Sequence, residues 1–316
     1  MILVTGGTGF IGSLLIEKLL QTGSSVFAIK RKQSIIPEKL LYKKNLFWFD
    51  ADITDYFSLE DVFNNITQVY HCAGLVSFDA NDRSSLEKTN VEGTAHIVNL
   101  CLQKKARLLH VSSVAALGDE KENMLITERS KWEWSKSKSA YSISKFEAER
   151  EVWRGIAEGL DAVIVNPSIV LGAGDQENSG HIFSLLHQGL KYYPTGSTGF
   201  VDIDDLVNIM IRLMNEEQIK GTNFLINNVN ISYKELFEQY AKIHNISAPE
   251  MPASRFLLSI AWRIQSILRL FKLSRSKLTK DLVRSARKKN RYSNEKVVQT
   301  LQYTFKPLSE TLNKIA

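Results

Sequence analysis

An α/β fold, a doubly wound parallel sheet with a smaller and mostly helical second lobe, is predicted by three observations in this 316-residue chain. The apolar run Met1 to Val4 leads into Thr5, Gly6, Gly7, Thr8 and Gly9, and Gly12 then opens a helical pattern. Further short apolar runs follow, separated by segments of helical spacing, which is the signature of strand–helix–strand units. After Pro167 the pattern breaks into glycine-spaced loops, and it resumes at Val201 to Met214, read as a helix, and Asn223 to Ile226, read as a strand. These breaks divide the chain into a nucleotide-binding domain, 1–167 with 201–229, and a second lobe, 168–200 with 230–316.

The first strand and its turn carry the strongest signal. Met1 to Val4 reads as a buried strand, and Ile11, Leu14, Leu15, Lys18 and Leu19 recur at helical spacing, so the glycines occupy a strand-to-helix turn. Gly6 permits the tight turn, Gly9 lets backbone approach a pyrophosphate, and Gly12 lets helix and sheet pack closely, with the helix N-terminus facing the phosphates. This predicts a dinucleotide site, to which Thr8, Phe10 and Ile11 belong with the glycines.

Gly23 closes the first helix, and Val26, Ala28 and Ile29 form the second strand, which exits through Lys30 and Arg31. An acid at this point would bind the adenosine ribose hydroxyls, whereas a cation accommodates a 2′-phosphate. Arg31 stands there with no acid beside it, so NADP(H) is preferred, with NAD(H) as the other option. Leu46 to Phe49 give the third strand, ending near Asp52 and Ile53, where a carboxylate and an amide can meet an adenine edge. Gln68 to His71 give the fourth and run into Cys72, Ala73 and Gly74, small enough for the chain to pass close to the cofactor. His71, at the end of a buried strand, reads as a packed histidine rather than a base. A helical segment from about Asp82 to Gln103 contains Asn90, a poor helix former whose presence asks for a reason.

Arg107 to Val111 form the fifth strand and deliver Ser112 and Ser113. Beyond a polar loop, Tyr141 and Lys145 lie four apart on a new helix and so share one face. A free tyrosine, with a pKa of about 10, is a poor acid–base catalyst at neutral pH, and a neighbouring ammonium is expected to stabilise its phenolate.

Taken together, these residues resemble the extended short-chain dehydrogenase/reductase superfamily, also described as the NAD-dependent epimerase/dehydratase family. Its TGxxGxxG, strand-end serine and YxxxK signatures are matched by Gly6, Gly9 and Gly12, by Ser113, and by Tyr141 with Lys145. HCAG at 71–74, NVEGT at 90–94, NPSIVLG at 166–172 and VDIDDL at 201–206 extend the resemblance over roughly residues 1–230, and Tyr292, Asn294, Lys296, Leu301 and Tyr303 echo it in the tail. The resemblance implies a Rossmann domain in which Tyr141 exchanges the substrate's hydroxyl proton. Lys145 lowers the pKa of Tyr141 and binds the nicotinamide ribose, Ser113 hydrogen-bonds the substrate oxygen, and Asn90 steadies the site. Pro167, Ser168 and Ile169 would lie beside the nicotinamide. Val114 and Ala115 stand where sugar 4,6-dehydratases carry Asp-Glu, and Ser197 to Phe200 lack the Arg-Asp of many nucleotide-sugar enzymes. The closer likeness is to the dihydroflavonol-reductase and 3β-hydroxysteroid-dehydrogenase-like branch, which implies carbonyl–alcohol interconversion on a small, fairly apolar substrate. A nucleotide-sugar epimerase and a non-catalytic NADP-binding regulator are the alternatives.

Composition bounds the rest. Cys72 and Cys101 give no disulfide framework, no leader precedes the first strand, and no uncharged run reaches membrane-spanning length, so a cytoplasmic protein is expected. No His, Cys or acid cluster has metal-ligand spacing. The net charge of +6 is concentrated between Arg255 and Arg291, where Asp281 is the single acid among twelve Lys and Arg. Phe256 to Phe271 has an apolar face and a basic arc, expected to pack over the substrate cleft, with a membrane surface as the lesser option. Arg284 to Arg291 reads as a solvated helix face rather than a nucleic-acid site, because no aromatic residues are interleaved with it. The expected partners are thus a small-molecule substrate and, from the family resemblance, a second copy of the chain.

Overall fold

The computed structural model describes residues 1–121, 124–135, 137–174, 179–254 and 279–315. In chain order its elements are β1 (Ile2–Thr5), α1 (Phe10–Gln21), β2 (Val26–Lys30), β3 (Leu46–Asp50), α2 (Tyr56–Glu60), β4 (Gln68–His71), α3 (Arg83–Leu86), α4 (Gly93–Lys104), β5 (Arg107–Val111), β6 (Leu125–Ile126) and α5 (Ala140–Ala157). Then come β7 (Ala162–Pro167), β8 (Ile169–Leu171), α6 (Ser179–His187), β9 (Tyr192–Tyr193), β10 (Ser197–Asp202), α7 (Ile203–Asn215), β11 (Thr222–Ile226), β12 (Val229–Ser232), α8 (Tyr233–His244), β13 (Met251–Pro252) and β14 (Arg291–Tyr292). Helices at Lys280–Ser285, Glu295–Leu301 and Leu308–Lys314 complete the C-terminal part.

The central sheet has seven strands in the order β11-β7-β5-β4-β1-β2-β3, and every pairing is parallel. Because helices cover both faces, neighbouring strand residues are buried on opposite sides, which is why the strands read as apolar runs rather than alternations. Leu3, Val69, Leu108 and Ile164 join one core with helices α2, α4 and α5, while Val4, Tyr70, Leu109 and Val163 join the other with α1 and α7. The chain reverses direction of travel at β1, which pairs with β2 on one side and β4 on the other. In open α/β sheets a ligand crevice forms at that switch point, outside the carboxyl ends of the strands.

A three-stranded sheet, β12-β10-β8, forms the frame of the second lobe. The helix expected from Val201 begins at Ile203, because Asp202 ends β10 and caps α7, accepting from Asp204 N at 2.7 Å and Asp205 N at 3.3 Å. The 230–316 segment divides between cores: Leu236, Phe237, Tyr240 and Leu312 pack in the lobe, whereas Val297 and Leu301 pack on the central sheet. The basic run from Arg284 is also not a helix face throughout, since its helix ends at Ser285. Beyond it the backbone runs along β10, with Gly196 N bonded to Ala286 O at 3.2 Å and Ser197 N to Lys288 O at 3.0 Å. It then pairs as β14 with β6, and Tyr292 enters a small core with Leu117, Ile126 and Leu225. The expected amphipathic segment, Phe256 to Phe271, lies outside the described residues.

Candidate active site

The loop after β1 leaves no room for side chains at two of its glycines. Gly6 has φ +68°, and a Cβ there would sit 2.6 Å from Ala73 N, so this glycine serves both the turn and the approach of the chain after β4. A Cβ on Gly12 would fall 2.2 Å from Gly6 O. Gly9 is exposed, and a Cβ on it would meet only Gly6 O, at 3.3 Å. It leads α1 with no side-chain cap and no acid in the first turn, so the helix N–H groups face outward beside Thr8, Phe10 and Ile11. A cavity of about 250 Å³ opens there, lined by Thr8, Gly9, Ser13, Lys39 and Gly174. An uncapped helix start behind an open glycine suits a diphosphate.

At the end of β2, Lys30 is neutralised by an ion pair with Asp50 on β3. Arg31 is exposed and has no ion pair among the described residues, which leaves its guanidinium available. The Asp52 carboxylate accepts from Thr54 N and Thr54 Oγ1, both at 2.9 Å, and Ile53 O bonds the His96 ring at 2.9 Å. Ile53 is buried against Gly93, where a Cβ would lie 2.8 Å from its Cδ1. Arg31, Asp52 and Ile53 thus stand at neighbouring strand ends, away from Tyr141.

After β4 the loop is secured by a chain of hydrogen bonds. Thr5 Oγ1 accepts from Ala73 N at 3.2 Å and contacts His71 Nδ1 at 2.7 Å, while His71 Nε2 contacts Thr94 Oγ1 at 3.0 Å. Thr94 Oγ1 donates to Asn90 O at 2.5 Å, so it accepts from His71 Nε2–H, and Nδ1 accepts from Thr5. Burial drives the pKa of His71 down to about 3, with the Lys145 charge adding to it, so the ring is a neutral structural linker. Burial also raises the Cys72 thiol to about 12. Asn90 sits in a π-helical turn, Glu87–Glu92, between α3 and α4. Its Oδ1 accepts from Leu75 N at 2.7 Å, and its Nδ2 donates to Leu75 O at 3.0 Å and Ser144 Oγ at 2.9 Å. The helix-disfavouring residue is the clasp between this loop and α5, and a local π-turn is a common way to aim such a side chain.

Helix α5 is capped by Ser139, which accepts from Ser142 N at 3.1 Å, and so begins just before Tyr141. Ser113 stands beside Tyr141, and its side chain accepts from Ala115 N at 3.1 Å. Lys145, one turn on, donates to Val111 O at 2.9 Å, and its Nζ lies 3.5 Å from the place a Gly74 Cβ would take. Burial lowers Lys145 to about 8, and the Glu149 charge opposes this. The expected depression of Tyr141 is absent: burial raises its pKa and only the neighbouring Ser113 hydroxyl opposes this. A phenol pushed up by burial keeps its proton at neutral pH. Phe78 tilts against the Tyr141 ring with centroids 5.6 Å apart, giving this end of the crevice an apolar wall.

Pro167 and Ser168 are buried at the end of β7 and Ile169 is half-buried at the start of β8, beyond which the lobe begins. Ser168 N bonds Ile226 O at 3.0 Å, but its buried hydroxyl finds no partner among the described residues. The open Gly9, the uncapped α1, the free Arg31 and this hydroxyl fit a dinucleotide laid from β2 across β1 and β4 toward β7. Sequence reasoning did not select Glu149, whose position four residues after Lys145 was its one local signal. Among the described residues no group of three His, Cys, Asp or Glu could hold a metal, and no helix is long and apolar enough to cross a membrane.

Comparison with known proteins agrees with this geometry. Residues 2–227 match the NAD dependent epimerase/dehydratase family. Tetraketide alpha-pyrone reductase 2 of Arabidopsis thaliana is 34% identical over 242 residues, covering 69% of this chain and 75% of the relative. A putative dihydroflavonol 4-reductase of Synechocystis is 29% identical over 307 residues, covering 94% and 88%. Among solved structures, gox2253 superposes with a TM-score of 0.84 at 23% identity, covering 100% of this chain and 96% of that one. The UDP-glucose 4-epimerase of Thermotoga maritima gives 0.79 at 19% identity, with 99% and 97% covered. The chain therefore belongs to the NAD-dependent epimerase/dehydratase family of extended short-chain dehydrogenases/reductases, in the branch that holds the dihydroflavonol 4-reductases.

Proposed function

We propose that the protein is an NADP(H)-dependent oxidoreductase that interconverts a carbonyl and an alcohol on a small, fairly apolar substrate. The observation that carries this reading is Tyr141 standing beside Ser113 and one helical turn before Lys145, whose ammonium donates to Val111 O at the end of β5. The reductases among its relatives support the reaction class, and the apolar face of Phe78 on Tyr141 supports the substrate class. The unpaired Arg31, next to a Lys30 already neutralised by Asp50, supports a 2′-phosphate on the cofactor.

A bound nicotinamide dinucleotide supplies or accepts the hydride in this chemistry. The glycine turn and the start of α1 hold its diphosphate, Arg31 and Asp52 its adenosine end, and Lys145 with Pro167, Ser168 and Ile169 its nicotinamide end. Ser113 donates a hydrogen bond to the substrate oxygen and fixes it next to Tyr141. Tyr141, kept protonated by burial, gives its proton to that oxygen as the alcohol forms. Asn90 holds the loop after β4 against α5, so the two sides of the crevice keep their spacing.

The test is purified protein against a panel of ketones, aldehydes and nucleotide sugars, with NADPH and NADH followed separately and products identified. Stoichiometric loss of NADPH with one alcohol formed is the expected result. Sugar isomers appearing without net cofactor change would instead establish an epimerase, and cofactor binding without turnover of any class would favour a regulator.

A further inference from the structure

Behind the Ser113–Tyr141 pair lies a buried acid that the chemistry above does not use. Glu149 is 6% exposed, and three side chains converge on its carboxylate. Oε2 accepts from Ser112 Oγ at 2.7 Å and from Asn166 Nδ2 at 2.6 Å, and Oε1 accepts from Trp153 Nε1 at 3.2 Å. Burial pushes the Glu149 pKa up, and these three donors with the Lys145 charge oppose it; amide and indole nitrogens can only donate, so the arrangement matches the ionised form. Asn166 Nδ2 also donates to Ser113 O at 3.1 Å, linking the acid to the backbone of the substrate-facing serine. Lys145 is one helical turn away on the same face and bonds the carbonyl of Val111, the residue before Ser112.

We propose that Glu149 is a positioning residue of this centre: its carboxylate ties the ends of β5 and β7 to α5 under Ser113, and places a negative charge one helical turn from the Lys145 ammonium. The inference rests on the oxidoreductase reading for its effect on rate, but not for its effect on Lys145. The other titratable groups around Lys145 do not substitute for it. Cys72, in the loop after β4, is held as the neutral thiol by burial, His71 on β4 and His110 on β5 are held neutral by burial, and Tyr141 keeps its proton. Glu128 and Arg150 lie with Glu149 along a cavity of about 260 Å³ between α5 and the loop that contains Trp132. Glu128 is occupied there, its Oε1 accepting from Leu225 N at 2.9 Å.

The experiment is an NMR titration of full-length protein carrying ¹⁵N,¹³C-lysine, with the Lys145 resonance assigned by its loss in Lys145→Met. In Glu149→Gln the Lys145 titration is expected to move down by about one pH unit, and in Glu149→Asp, which keeps the charge, it is expected to stay near wild type. In the reductase assay the alkaline limb of kcat moves with the titration while KM changes little. An unmoved Lys145 titration in a folded Glu149→Gln protein would overturn the proposal and reduce Glu149 to a packing role. If the single variant does not fold, Glu149→Gln with Asn166→Asp keeps one carboxylate and one amide in the pair. That exchange is expected to fold and to hold Lys145 near its wild-type titration, and a shift as large as one unit in it would equally overturn the proposal. Because the titration needs no turnover, a failed activity assay with a shifted lysine counts against the oxidoreductase reading alone.

Discussion

Asn90 and Ser144, 54 positions apart, meet through a 2.9 Å hydrogen bond that fixes the helix of Tyr141 and Lys145 against the loop following β4. Removing the amide leaves the N–H and C=O of Leu75 without their partner in a half-buried place, which costs about 1–3 kcal/mol. Asn90→Ala is expected to lower thermal stability by several degrees and kcat by more than tenfold, since the crevice loses its spacing. Calorimetry and steady-state kinetics on one preparation check both effects. A stable variant with unchanged kcat would show that the clasp is dispensable.

Arg31 stands exposed and unpaired among the described residues, so its charge is available to a phosphate at low desolvation cost. A charge-assisted bond contributes about 1.5–3 kcal/mol. Arg31→Ala is therefore expected to weaken NADPH roughly tenfold to a hundredfold and NADH by much less. Fluorescence titration with the two cofactors measures the difference, and equal losses would remove the NADP assignment.

Tyr141→Phe deletes the proposed proton donor and keeps the ring that packs on Phe78. Turnover is expected to fall by about 10²–10⁴-fold, the usual contribution of a positioned acid or base, with the dissociation constant for NADPH retained. Full activity in this variant would refute the assigned role.

Asp204 is ringed by Lys18 at 2.9 Å and by Lys306 and Lys314 at 3.2 Å, and these cations hold its pKa well below the ordinary carboxylate value. A depressed folded-state pKa means stability that is fully present above the unfolded pKa, about 3.9, and lost as pH falls through the folded value. Asp204→Asn is expected to be less stable than wild type at pH 7, with the gap narrowing as the pH is lowered past 4. Urea unfolding of both proteins at several pH values supplies the comparison, and a gap independent of pH would exclude the ion pairs as its source.

What the sequence revealed and what it concealed divide along physical lines. The β1 turn was legible because its constraints are local: Gly6 at positive φ and Gly12 against Gly6 O act within one turn. Tyr141 and Lys145 were legible because helical spacing alone puts them on one face. The raised pKa of Tyr141 was not, since it comes from burial by distant segments rather than from the lysine four residues on. Nor was the hub at Glu149, whose partners Ser112 and Asn166 lie 37 and 17 positions away. The second sheet was hidden for the same reason: β8, β10 and β12 are short, and nothing in any one of them specifies its mates.

The backbone that passes from Ala286 to Tyr292 has a consequence for how the protein comes into being. Tyr292 packs beside Leu117 and Ile126, in the loop that leaves Ser113. On a ribosome the chain appears from its first residue onward, and structure forms in the order that contacts become available. The packing under that loop is therefore completed only when nearly the whole chain has been made, long after strands β1 to β5 have appeared. A late segment of the chain is thus what closes the ground beneath an early one, and the loop after Ser113 gains its last neighbour at the end of synthesis.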